Sequence, residues 1–82
     1  MSIYDDLDDF RIIWRDYNNE LRLTPLVFNK YVTIIIMIRN RNIDLQKHKR
    51  LLLEIIDELW PLCEEEEFEC CTRIKRHLKY VL

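Results

Sequence analysis

The chain contains no glycine and no alanine. Without glycine, tight hairpin turns and left-handed helix caps lose the residue that forms them most easily. This counts against turn-rich β folds and favours helices joined by short polar or proline-marked corners. Without alanine, helix contacts must be filled by bulky side chains, which keeps backbones apart. Cysteine occurs three times, an odd number that gives no disulfide framework and fits a reducing compartment. No apolar run approaches the roughly 20 residues that span a bilayer. The opening Met1-Ser-Ile-Tyr-Asp-Asp is acidic, where a signal peptide would be basic and then apolar. The expectation is an intracellular protein, cytoplasmic or nuclear, with no membrane span.

What the chain does have is bulk. Of its 82 residues 49% are apolar, mostly Leu and Ile, with two Trp, three Phe and four Tyr. A chain of this size buries only roughly 60–65% of its unfolded surface, so its margin of stability is narrow. The net charge of −2 gives no global attraction to nucleic acid or to an anionic membrane. Abundant Ile, Asn, Lys and Tyr without Ala or Gly fits an AT-rich coding sequence, common in viruses, phages and low-GC bacteria. Composition and size together resemble those of small viral or phage accessory proteins, a likeness that assigns no functional residue.

Four helical segments can be read, at about 2–23, 25–40, 44–59 and 61–82, forming a single domain over 1–82. In the first, Ser2 can cap and Asp5, Asp6, Asp8 and Asp9 load the positive end of the macrodipole. Ile3, Leu7, Phe10, Trp14, Tyr17 and Leu21 alternate four and three apart, a heptad-like seam. Ile12 falls on the opposite face. Thr24-Pro25 marks a boundary, since Thr caps well and Pro suits the first helical position.

In the second segment Val27, Phe28, Tyr31, Val32, Ile34, Ile35, Ile36 and Ile38 cover more than half the circumference. A helix apolar nearly all round is a buried one, and three amphipathic neighbours are expected to wrap it. The rival reading for Tyr31–Ile38 is a strand, favoured by Val, Thr and Ile, but no second segment offers it a partner within the chain. Asn42 or Asp44 caps the third segment, whose core stripe is Leu45, Leu52, Ile55, Ile56 and Leu59 with His48 at its edge. Leu51, Leu53 and Trp60 widen this stripe beyond what one neighbour needs. Trp60-Pro61 is the second break, because a residue before proline is pushed out of helical conformation. A single helix kinked at Pro61 is the alternative. The fourth segment opens on Glu64–Glu67 and presents Phe68, Cys71, Ile74, Leu78, Val81 and Leu82 as its apolar face.

Motifs for chemistry are scarce. Cys63, Cys70 and His77 are spaced seven apart, about 10 Å per step along a helix, too far for one zinc ion. Two His, one Ser and no glycine-rich loop give neither a nucleophile elbow nor a phosphate cradle. The expectation is no enzyme, no cofactor and no metal site.

The fold expected is therefore all-α, a small bundle of three to four helices, as a homodimer or with an obligate protein partner. In an up-down-up-down arrangement, one end collects Arg39, Arg41, Lys47, Lys49 and Arg50 with the basic half of the fourth segment and the Asp cluster of the first. The function expected is a regulatory or accessory role through protein–protein contacts. Ile12, Leu51, Leu53 and Trp60 are its expected apolar contacts. The corner Arg39, Arg41, Lys47, Lys49 and Arg50 would select the partner. The alternative is nucleic-acid binding through that same corner, with phosphates neutralised by Lys and Arg.

Overall fold

In the computed structural model, which describes residues 2–81, four α-helices of equal length surround one core. They are α1 (Ile3–Tyr17), α2 (Pro25–Arg39), α3 (Leu45–Leu59) and α4 (Glu65–Lys79). No strand occurs among the described residues, so Tyr31–Ile38 is helical. Among the described residues no helix is long and apolar enough to cross a membrane. The helices form a ring in which α1 packs on α2 and α4, and α3 on α2 and α4. The radius of gyration is 11.8 Å, about the roughly 12 Å of a compact chain this long.

The helix boundaries follow from local chemistry. Ser2 Oγ accepts the Tyr4 amide at 3.2 Å, and Asp44 Oδ1 accepts those of Gln46 and Lys47 at 3.1 and 3.2 Å. Thr24 Oγ1 takes the Val27 amide at 3.4 Å, with Pro25 following as expected for a first helical residue. The first helix is shorter than its seam implies. Asn18 Nδ2 donates to the carbonyls of Trp14 and Arg15 at 3.1 and 3.0 Å, ending α1. A 3₁₀ turn over Asn18–Glu20 follows, then an extended link into Thr24.

Two helices, not one kinked helix, flank Pro61. The proline lies in a 3₁₀ turn (Trp60–Leu62), and α4 starts at Glu65 instead of at the proline. Trp60 keeps helical angles (φ −51°, ψ −48°) despite the following proline. Its indole packs on Phe68, with ring centroids 4.8 Å apart, which ties the turn to α4. The α2–α3 corner closes on a left-handed residue even though the chain has no glycine to place there. Arg41 sits at φ 55°, and the amides of Arg41 and Asn42 return to the carbonyls of Ile38 and Met37, both at 3.0 Å. This is the paired hydrogen-bond pattern of a Schellman cap.

The core joins Leu7, Phe10 and Trp14 of α1 to Leu52, Ile55, Ile56 and Leu59 of α3 and to Cys71, Ile74 and Leu78 of α4. Ile13, outside the α1 seam, is buried as well. Phe68 and Val81 are half-buried, and Leu82 lies outside the described residues. The largest departure from expectation is α2. It is not wrapped by three neighbours: it buries Tyr31, Ile34 and Ile38, while Leu26, Phe28 and Ile36 remain exposed. A ring of four helices has no central position, so each helix can hide only the arc facing its two neighbours. An all-round apolar helix placed in the ring must leave one face in solvent.

Candidate interaction groove between α3 and α4

Lys49 and Leu53 of α3 are one turn apart, and Trp60, which caps α3 with helical angles, follows Leu53 by seven residues, two turns on at 3.6 residues per turn. The three therefore form one stripe. On α4, Lys75, Arg76 and Lys79 form a matching stripe beside Thr72. Because α3 and α4 are antiparallel neighbours joined by the Trp60–Leu62 turn, the two stripes face each other across a groove of about 610 Å³. Leu53 and Trp60, both half-buried, supply its apolar floor. Its walls carry Lys49, Lys75, Arg76 and Lys79, and no carboxylate among the described residues lines it.

Trp60 closes the turn end of the groove. Lys75 Nζ lies 4.8 Å from the centre of its ring, while Phe68 packs on it at the same centroid distance. The same ammonium is 4.0 Å from Asp57, an exposed and weak pairing. At the other end Lys49 Nζ donates to the Val81 carbonyl at 3.0 Å, fixing the ammonium over the end of α4. A second groove, of about 540 Å³, shares Lys49 and Leu53 and adds Lys47 and Arg50, but there Glu54 and Asp57 offset the cations.

The residues expected to act together are thus divided. Leu53, Trp60 and Lys49 meet in the α3–α4 groove, and Lys47 and Arg50 lie next to it. Leu51 is half-buried and packs against the core. Ile12, 41% exposed, belongs to the α1–α2 face, where it lines a small cleft with Ile35, Ile36 and Arg39. Arg41 turns to α1, with Nη2 2.9 Å from Asp8 and its guanidinium over the Tyr4 ring at 5.4 Å. Lys75, Arg76 and Lys79 belong to the basic half of the fourth segment, which the sequence places at the basic end of the bundle and matches to the helix dipole, but they are not among the expected partner-selecting residues. Their i, i+4 spacing marks a stripe, but only the pairing of α3 with α4 gives it an apolar floor.

A second cluster lies between α1 and α4. Ligand atoms of Asp6, Asp9 and Cys70 fall within 4.8 Å of one another. Arg73 Nε holds Asp6 Oδ1 at 2.9 Å, and the Cys70 thiol donates to the Asp6 carbonyl at 3.2 Å. Burial, then the charges of Asp6 and Asp9, push the Cys70 thiol up to about 12, so it stays protonated at neutral pH. Burial likewise raises Cys71 to about 12 and shifts Cys63 upward. A protonated thiol and a carboxylate already paired with arginine fit an ion-pair cluster better than a metal-ligand set. His77 is exposed near the end of α4, while Cys70 is buried.

No protein-family model, curated protein or solved structure matches the chain. The class defined by the fold is a small all-α four-helix bundle.

Proposed function

We propose that the protein is a small interaction module, of regulatory or accessory kind and not an enzyme, that docks another protein in the α3–α4 groove. The observation that carries this reading is the half-buried Leu53 and Trp60 set between four cations with no carboxylate lining the groove among the described residues. Apolar side chains at the centre of a polar rim are the usual anatomy of a protein-binding patch. Trp is enriched among the residues that carry binding energy, and a charged rim sets partner choice and association rate.

Site-specific photo-crosslinking in source cells tests the reading. A crosslinker at Leu53 is expected to trap a discrete protein, and one at the exposed Leu26 of α2 is not. Leu53→Glu is expected to abolish the adduct formed from a crosslinker at Lys79 while preserving helical circular dichroism. No adduct from either groove position would overturn the proposal.

Self-association would use a different surface. Ile12 and Ile36, 41% and 42% exposed, lie together on the α1–α2 face. A homodimer through this face predicts a sedimentation coefficient that falls on dilution, and Ile36→Glu should remove that concentration dependence. A coefficient independent of concentration would exclude it over the range measured.

A further inference from the structure

We infer that the occupant of the α3–α4 groove is an acidic amphipathic helix of a second protein; this rests on reading the groove as a protein-docking site. Charge selects the class. Lys49, Lys75, Arg76 and Lys79 face the groove without a lining carboxylate among the described residues. Only Lys75 of these four has a carboxylate within 4.0 Å among the described residues, and it is the exposed Asp57. A ligand carrying Glu or Asp on its flanks offsets these cations, whereas a basic or neutral one leaves their charge to be desolvated with no compensating anion beyond Asp57.

The same charges weigh against a second copy of this chain. A twofold interface sets one patch against itself, and here it would bring the four cations of each copy together. The cations alone would serve the phosphates of nucleic acid equally well, and it is Trp60 that weighs against that ligand. Binding of single strands relies on open aromatic faces on which bases stack. The Trp60 ring already has Phe68 packed against it and the Lys75 ammonium above it, both at 4.8 Å. Stacking a base there would require displacing one of them.

Spacing then sets the form of the ligand. Leu53 and Trp60 stand seven residues apart, about 10 Å along a helix axis at 1.5 Å per residue. A helix laid along the groove meets both with apolar side chains at i and i+7, or at i, i+4 and i+7, the usual anchors of a helix held in a groove. Glu or Asp at the positions flanking that stripe reaches Lys49 and Lys79 at one end and Lys75 and Arg76 along the wall.

The test uses a fluorescein-labelled peptide of about 15 residues, long enough to approach a stable helix. It carries Leu at i, i+4 and i+7 with Glu on both flanks. Comparison probes are the same peptide with Gln for Glu, a scrambled-order peptide, and labelled single-stranded and duplex DNA. Anisotropy at low salt is expected to show the acidic helix binding at least about tenfold more tightly than either peptide control, with affinity falling as salt rises. Lys75→Glu with Lys79→Glu should abolish that binding and confer binding of a Lys-for-Glu peptide; both lysines are exposed, so the fold should tolerate the change. Amide shifts on titration should centre on Leu53, Trp60 and Lys75. Equal binding of the Gln peptide at the same residues would overturn the acidic class but leave protein docking intact. Binding of DNA and of no peptide would overturn both. Failure of every probe would overturn the acidic helix, and the crosslinking result would then decide the docking reading separately.

Discussion

Tyr17 Oη donates to Glu67 Oε1 at 2.8 Å, and the same oxygen accepts the Glu64 amide at 2.8 Å, tying the end of α1 to the start of α4. One carboxylate thus caps its own helix and holds a second one. The hydrogen bond to Glu67, followed by partial burial and the Glu67 charge, pushes the Tyr17 hydroxyl up from 10.0 to about 12.

A raised tyrosine pKa implies stability that is complete below the unfolded value of 10.0 and is lost as pH rises through about 12. Thermal midpoints measured from neutral pH to pH 12 should therefore fall at the alkaline end. Tyr17→Phe should reduce that fall and lower the midpoint at neutral pH. Part of the fall should persist, because burial and then Glu58 raise Tyr31 to about 12 as well. Identical alkaline profiles for the variant and the parent would show that the Tyr17 bond is not formed in solution.

Arg41 gives a second prediction. It holds a left-handed conformation at φ 55°, which costs a non-glycine residue roughly 1–2 kcal/mol. Its pairing with Asp8 is exposed and offsets little of this, about 0–1 kcal/mol. Arg41→Gly should therefore be more stable than Arg41→Ala by about 1 kcal/mol in urea denaturation, since both lose the pairing and only Gly removes the strain. Equal stabilities would mean that the left-handed cap is absent in solution.

The neighbours Ile34 and Ile36 test how α2 sits in the ring. Ile34 is 1% exposed and Ile36 is 42% exposed. Ile34→Ala should cost about 2–5 kcal/mol, a large share of the roughly 4–12 kcal/mol available to a chain this size. Ile36→Ala should cost less than about 1 kcal/mol. Comparable losses at the two positions would mean that something covers the outer face of α2, and a concentration-dependent loss at Ile36 would identify a second copy.

The cysteines should react in a fixed order. Cys63 is half-buried, while Cys70 and Cys71 are buried with thiols held near 12. Alkylation in native buffer followed by mass spectrometry should modify Cys63 first and slowly, because the thiolate is the reacting form. Cys70 and Cys71 should be modified only when denaturant is added. Fast labelling of Cys70 in native buffer would contradict its burial between α1 and α4.

Much of this architecture was legible in the residues. Caps at Ser2, Thr24 and Asp44 and prolines at 25 and 61 mark boundaries through local hydrogen bonding and a missing amide, which need no tertiary partner. Of the α3 stripe, Leu52, Ile55, Ile56 and Leu59 are fully buried, as their spacing indicates, while Leu45 in the first turn is half-buried. The groove was legible only in halves. Leu53 and Trp60 stand out as surplus apolar residues, but three of the four cations that make them a site, Lys75, Arg76 and Lys79, come from α4, 15 to 26 residues further along the chain.

By itself, then, the sequence determined that the chain is helical, where most helices start and which face of α3 is core, because these depend on propensity, capping and periodicity within one segment. Tertiary structure decided what periodicity cannot: that α2 lies in the ring with Ile36 exposed, that Arg41 turns to Asp8 instead of joining Lys47 and Arg50, and that Lys75, Arg76 and Lys79 face Leu53 and Trp60. Each depends on which helices become neighbours and how they are rotated, and that is fixed by the joint packing of Phe10, Leu52, Ile55 and Ile74 in one shared core.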